Sequence, residues 1–298
     1  MPRHLHRNTG REMQETSYTP PEHLSSESWV EFELRSASNL LQPMVSELKK
    51  LKLRVIKERV HKSRVSLRRW FSVWSLLEQD GWERKKFKKG VLTPLRSFLK
   101  ELGELRDSDV NIETAEKLGC DKNTIDEFKK KRKKLKKAID ASLKEIQPEK
   151  LRDDIEAYLE ERALDLSKKL AESDEADHSA FAHFDRYISE HEQSVRILSE
   201  RATTPESLHK LRLAIKKWRY LLTECMGLTN LDLVRAQTLL GEIHDFDRLE
   251  PVLKESAPDD KESLIRLRKE RATLVKEFEK CKKDLPYGLR PGLISYAR

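Results

Sequence analysis

An all-α fold is what this sequence predicts, and composition, apolar spacing and the lack of strand-like alternation all point to it. Leu, Lys, Glu and Arg dominate, whereas Gly supplies only 9 of the 298 residues and aromatics 7%. That balance favours helices over a β sandwich or barrel. From about Ser28 onward apolar positions recur three and four apart, broken mostly by Gly, Pro and Asp/Asn/Ser clusters, the pattern of amphipathic helices joined by short turns. No segment shows convincing period-two alternation. A chain of this length can bury a substantial core, as one large domain or as two smaller units.

The expected helices cover residues 28–50, 55–79, 84–105, 109–118, 122–146, 149–172, 177–201, 206–226, 231–244, 246–254 and 260–283. Pro43 lies in the first and should kink or break it, because proline offers no amide hydrogen and its ring crowds the preceding turn. Residues 1–26 read as a mobile polar arm, 27–285 as the helical domain and 286–298 as a tail. The domain divides into a first half of 27–146 and a second of 147–285. The opening residues lack the apolar stretch of a secretory signal, and no apolar run approaches the roughly 18 to 20 residues of a membrane span. Cys120, Cys225 and Cys281 are odd in number, far apart and without CxxC spacing. Neither a disulfide framework nor a zinc cluster is indicated, and a reducing cytosol fits best.

Lys and Arg number 60 against 52 Asp and Glu, a formal net charge of +8, which favours acidic partners without choosing among nucleic acid, polyphosphate and an anionic membrane. The charge is uneven: residues 49–69 hold ten Lys/Arg and one acid, whereas 149–177 hold eleven acids and five Lys/Arg. The densest basic block, KKKRKKLKK at 129–137, reads first as a solvated helix face.

An internal repeat is the most informative feature. VHKSRVSLRRWFSVWSLL at 60–77 aligns without gaps to LHKLRLAIKKWRYLLTEC at 208–225, and downstream LGELRDSD at 102–109 matches LGEIHDFD at 240–247. On a helix, His61, Arg64 and Arg68 share an arc of about 60°, and His209, Arg212, Lys216 and Arg219 one of about 80°. Leu67, Trp70, Val73, Trp74 and Leu77 fall opposite the first stripe, and Leu211, Ile215, Trp218, Leu221 and Leu222 opposite the second. Trp70 and Trp218 are therefore expected in the core rather than as stacking platforms. Like charges at these spacings destabilise a helix by a few tenths of a kcal/mol per pair. Either acids from neighbouring helices neutralise the stripes, or an anionic ligand does, and recurrence of the stripe in both halves favours the ligand. In the second motif, Gly103 and Gly241 suit helix ends or close helix crossings. Asp107, Asp109, Asp245 and Asp247 are expected to cap the following helix or to hold the stripe arginines.

With both motifs present twice and in the same order, the sequence resembles the CHAD family, the conserved histidine α-helical domain, over about residues 28–285. The resemblance implies two pseudo-symmetric four-helix bundles whose basic faces meet in a central groove or pore that binds inorganic polyphosphate. It also implies association with polyphosphate granules or polyphosphate-metabolising proteins. The residues it implies as ligand-binding are His61, Arg64, Arg68, Arg69, His209, Arg212, Lys216, Lys217 and Arg219. Arg69 and Lys217 lie about 80° from the histidines on the helical wheel and should border the groove. The first half departs from the pattern at Phe71, where the second has Arg219, so Lys52, Arg54 or Lys57 is a candidate substitute.

The histidines lie within cationic stripes without an HxxxH or a dense ligand cluster, so a hydrogen bond to phosphate is preferred over metal ligation, and no cofactor or metal is expected. RNA or DNA binding is the second reading, although no RRM, KH or zinc-finger signature is present. A metal-dependent phosphohydrolase is weaker still: His244-Asp245 looks like an HD pair, but its counterpart is Arg106-Asp107. EFELR at 31–35 resembles the ExExK element of tunnel-type triphosphate enzymes, yet it reads as a helix start. No phosphate loop, GxSxG elbow or supported nucleophile–base pair is present.

Overall fold

A computed structural model describes residues 29–78, 84–172, 175–257 and 260–289. The N-terminal arm and residues 290–298 lie outside them. Among the described residues all regular structure is helical: α1 (Trp29–Asn39), α2 (Leu41–Leu53), α3 (Lys57–Glu78), α4 (Lys85–Phe87), α5 (Thr93–Leu118), α6 (Lys122–Glu145), α7 (Pro148–Glu172), α8 (Glu175–Arg201), α9 (Pro205–Met226), α10 (Leu231–Ser256) and α11 (Lys261–Cys281). A π-helical stretch, Lys88–Leu92, joins α4 to α5, and a 3-10 turn, Lys282–Asp284, comes after α11.

Local chemistry explains most boundaries. The break expected near Pro43 falls at Leu40, which places the proline in the first turn of α2, where a missing amide hydrogen costs little. Gly119 and Gly227 end α5 and α9 with φ of 71° and 67°, a left-handed conformation that glycine adopts without a Cβ clash. Asp121 starts α6 by accepting from the amides of Asn123 and Thr124 at 2.8 and 3.0 Å. Thr204 and Ser207 form a capping box at the start of α9. EFELR lies in α1, in accord with its reading as a helix start.

Two expected breaks are absent. Residues 84–105 and 109–118 are not separate helices, because α5 runs through LGELRDSD; α10 likewise runs through LGEIHDFD and on past Pro251. The Asp residues of these motifs are therefore mid-helical and cap no helix. Asp109 instead pairs with Arg132 of α6, and Asp247 with Nε of Arg271 of α11 at 2.5 Å. These twin ion pairs tie α5 to α6 and α10 to α11, so Arg132, inside the basic run, has a structural partner. The small and charged residues of each motif interrupt the apolar spacing and so disguise one continuous helix as two.

The repeat is visible in the packing order. Helices α2, α3, α5 and α6 pack successively, and α8, α9, α10 and α11 do the same. Across the halves α3 packs on α9 and α5 on α10, while α1 reaches α8 and α7 reaches α2. One apolar core runs through both halves, with Trp70, Trp74 and Trp218 at 0%, 1% and 0% exposure. Trp70 stacks on Trp74 at 4.7 Å between centroids, and Trp218 faces Tyr287 at 6.1 Å. A second cluster, including Ile112, Phe128, Phe246 and Leu267, joins α5 and α6 to α10 and α11. The tryptophans thus take the expected core positions and turn the opposite faces of α3 and α9 towards one another.

All three cysteines are buried and free, and among the described residues no helix is long and apolar enough to cross a membrane. Truncating a fully buried tryptophan removes its contacts and leaves a cavity. Trp70→Ala should cost about 3–5 kcal/mol, measured by urea unfolding. A loss under about 1 kcal/mol would contradict the core assignment.

Candidate functional site

The cationic stripes of α3 and α9 meet where the two helices pack. Arg68 feels Arg212 as its strongest neighbouring charge, and Arg212 in turn feels Arg64, so the charges of the two halves interact directly. Helices α5 and α10 add Arg106, Arg248, His244, Asp107 and Asp245 to the same cluster. The carboxylates placed among these cations are Asp107 and Asp245. Asp107 forms an ion pair with Nη1 of Arg248 at 2.5 Å across the halves, while burial raises the Asp245 carboxyl above the usual range. Five guanidinium groups, those of Arg64, Arg68, Arg106, Arg212 and Arg248, together with the Lys216 amine thus surround two carboxylates.

Lys216 records the imbalance. Burial, then the charges of Arg212, Arg68 and Arg64, lowers its ammonium to about 6. Arg64 is lowered to about 10, mainly by burial and then by Arg68. A buried charge usually has a partner or loses its proton. Here the amine sits among guanidinium groups that cannot lose theirs near neutral pH.

Glycine gives these arginines room. A Cβ at Gly103 would lie 3.6 Å from Nε of Arg64, and one at Gly241 3.9 Å from Nε of Arg212. A methyl would meet each guanidinium at ordinary contact distance, but a longer side chain would displace it. Both Nε atoms are buried without a hydrogen-bond partner, which leaves donor capacity within the cluster. Both glycines are mid-helical, so neither ends a helix, and each faces an arginine of the packed neighbour.

The histidines occupy related places. Burial and then Arg106 lower His61, which lies at the exposed edge of α3. His209 and His244 face each other with their Nδ1 atoms 3.2 Å apart. Burial, then Arg212, lowers His244 to about 3, and burial and Arg212 lower His209 as well. In a hydrogen bond between two neutral rings, the acceptor ring must carry its proton on Nε2 and can donate from there. Among the described residues no group of three or more His, Cys, Asp or Glu side chains is arranged to hold a metal ion.

Other expected residues have different engagements. Arg69 donates to both oxygens of Glu224 at 2.6 and 2.7 Å, a bidentate bridge between α3 and α9. Nζ of Lys217 lies 5.0 Å from the centroid of the Tyr187 ring. Arg219 donates to Gln237 at 2.8 Å and lies 4.7 Å from the Tyr220 ring. Lys52 donates to the carbonyl of Ile146 at 2.8 Å, Lys57 pairs with Glu113, and Arg54 is exposed between α2 and α3. Lys57 nevertheless lies near enough to His61 for its charge to lower that ring. Arg96 of α5 places its guanidinium 5.2 Å from the Phe71 ring while pairing with Glu78. The lining of a cleft of about 370 Å³ beside this pair includes Arg68, Phe71, Glu78, Arg96, Lys216 and Lys217.

The sequence patterns do not assign Arg106, Arg248, His244, Tyr220 or Arg96 to the site. Gly241, His244, Asp245 and Arg248 share a helical face by their three- and four-residue spacing. That signal emerges once LGEIHDFD is taken as part of an uninterrupted helix. Arg96 has no counterpart signal in the repeat.

Because Lys216 is held below its ordinary range, the native state binds its proton more weakly than the unfolded chain does. Between about pH 6 and the ordinary lysine range, stability contributed by this residue rises with pH. Replacing the amine by an apolar chain of similar length removes the cost of burying it without its proton among these guanidinium groups. Lys216→Met should stabilise the ligand-free protein by about 1–2 kcal/mol at pH 7, measured by chemical denaturation, and destabilisation would contradict the weakened proton binding of this amine.

A search of the curated proteins found no match. The family model described as "CHAD domain" matches residues 39–254. Among solved structures, the CHAD domain from the plant Ricinus communis is similar at 18% identity and a TM-score of 0.59, covering 87% of this chain and 88% of that one. PptA from Streptomyces chartreusis is similar at 11% identity and a TM-score of 0.51, covering 86% and 97%. With the family model spanning both motif pairs, this chain belongs to the CHAD family.

Proposed function

We propose that the chain binds inorganic polyphosphate through Arg64, Arg68, Arg106, Arg212, Lys216 and Arg248, with His61, His209 and His244 as hydrogen-bond donors, and acts as a binding protein rather than an enzyme. The observation that carries this is the meeting of the α3 and α9 cationic stripes, where five guanidinium groups and the Lys216 amine are gathered around the carboxylates of Asp107 and Asp245. A chain of phosphates would supply the missing negative charge and pair with the guanidinium groups of the cluster. Affinity would arise from release of the polymer's counterions onto cations already held in place by packing. Association with polyphosphate granules would result from multivalent capture of the polymer.

The aromatic residues support polyphosphate over RNA or DNA. Single-stranded nucleic acids are gripped through base stacking on accessible rings, yet Trp70, Trp74, Trp218 and Tyr220 are buried, at most 6% exposed. The Phe71 ring is accompanied by Arg96. A bare phosphate polymer requires no such stacking ring.

Calorimetry at physiological salt tests the reading. Arg64→Ala combined with Arg212→Ala should fold, since it relieves like-charge repulsion, and should bind polyphosphate about a hundredfold more weakly. For wild type, the six phosphate contacts of the central cluster alone should make log affinity fall against log salt with a slope at least as steep as about −4, by analogy with about −0.7 per phosphate for single strands. Unchanged affinity in the variant, a flat salt response, or RNA that displaces polyphosphate more readily than the reverse would refute it.

A further inference from the structure

The basic run at 129–137 lies on α6 and is only partly used by the fold. Arg132 serves Asp109, Leu135 packs on the core, Lys129 pairs with Glu116 and Lys136 reaches Asp140 at 3.7 Å. Lys130, Lys131, Lys133, Lys134 and Lys137 are exposed and make no ion pair among the described residues. Several stand three or four apart, so each such pair opposes the helix by a few tenths of a kcal/mol. The helix in the corresponding place of the second half, α11, interleaves Glu262, Glu270, Glu277 and Glu279 with its cations. Helix α6 has no acid between Phe128 and Ile139. A solvated helical face does not require that asymmetry.

A cleft of about 190 Å³ crosses α5 between α6 and α10, and its lining includes Ser108, Asn111, Lys131, Arg248 and the carboxylate of Glu104. Arg248 belongs to the central cluster, where it pairs with Asp107 and acts on His209 and Arg212. The same arginine therefore faces both the cluster and the cleft, and Lys131 faces the cleft from the lysine ridge. From Lys130 to Lys137 the ridge extends about 10 Å along the helix.

From this continuity we propose that the polyphosphate path leaves the central cluster past Arg248, crosses the cleft lined by Ser108 and Asn111, and continues along Lys131, Lys134 and Lys130 of α6. The extension rests on reading the central cluster as the polyphosphate site. It makes the protein selective for long chains, because a short one fills the centre without reaching the ridge. Ser108 and Asn111 offer neutral donors along the crossing, where the polymer must pass Glu104.

The test compares tripolyphosphate with long-chain polyphosphate on wild type and on a Lys130→Ala, Lys131→Ala, Lys134→Ala protein. This variant keeps Arg132 and Leu135, and alanine favours the helix. Long-chain affinity should fall roughly tenfold, with a salt slope shallower by about 2, while tripolyphosphate binding stays as in wild type. Unchanged long-chain affinity and slope, or equal weakening of both ligands, would overturn the extension. The Arg64→Ala, Arg212→Ala protein separates the two ideas. If it binds tripolyphosphate as wild type does, the central reading fails and the extension fails with it.

Discussion

Like-charge repulsion at the seam of α3 and α9 is the constraint around which this molecule is arranged. Arg64, Arg68, Arg212 and Lys216 would separate if only these two helices met. They are held by interactions outside the seam. The tryptophan faces bury the opposite sides of the helices in a shared core, and Arg69 with Glu224 bridges them at the margin. Asp107 with Arg248 links α5 to α10, and the twin aspartate–arginine pairs fix those helices to α6 and α11. Core burial at about 25 cal/mol per Å² of apolar surface readily exceeds the few kilocalories that such repulsion costs.

This division of labour makes the site preorganised. Guanidinium groups positioned by glycine-lined crossings and packed helices lose little further freedom when an anion arrives, so more of the electrostatic attraction is available as affinity. The same arrangement reduces the stability of the ligand-free protein, a familiar cost of functional sites. The His209–His244 pair adds donors without adding full charge, because burial, and after it the charge of Arg212, lowers both rings and favours their neutral forms in the ligand-free state.

Much of this was legible in the sequence because the repeat compares the protein with itself. Two copies of the His/Arg/Trp motif set the helical faces, and burial of Trp70, Trp74 and Trp218 matches the apolar spacing. The illegible part came from partners distant in sequence. Nothing local announces that Glu224 would claim Arg69, that Gln237 would claim Arg219, or that Arg96 would approach Phe71. The aspartates misled for a different reason: Asp is a common helix cap, but in α5 and α10 it is held mid-helix by tertiary ion pairs that outweigh its local preference. The basic run divides between both kinds, with Arg132 tied to a distant aspartate and its neighbours left exposed.

The central claim is that this cluster holds positive charge that the protein itself does not balance. The protonation of Lys216, monitored by NMR of its side-chain Nζ and Cε in free and polyphosphate-bound protein, measures that directly. The account predicts a midpoint near 6 in the free protein, moving well up towards the ordinary lysine range when phosphate surrounds the amine. A free-state midpoint already near the ordinary lysine value, unmoved by polyphosphate, would contradict it.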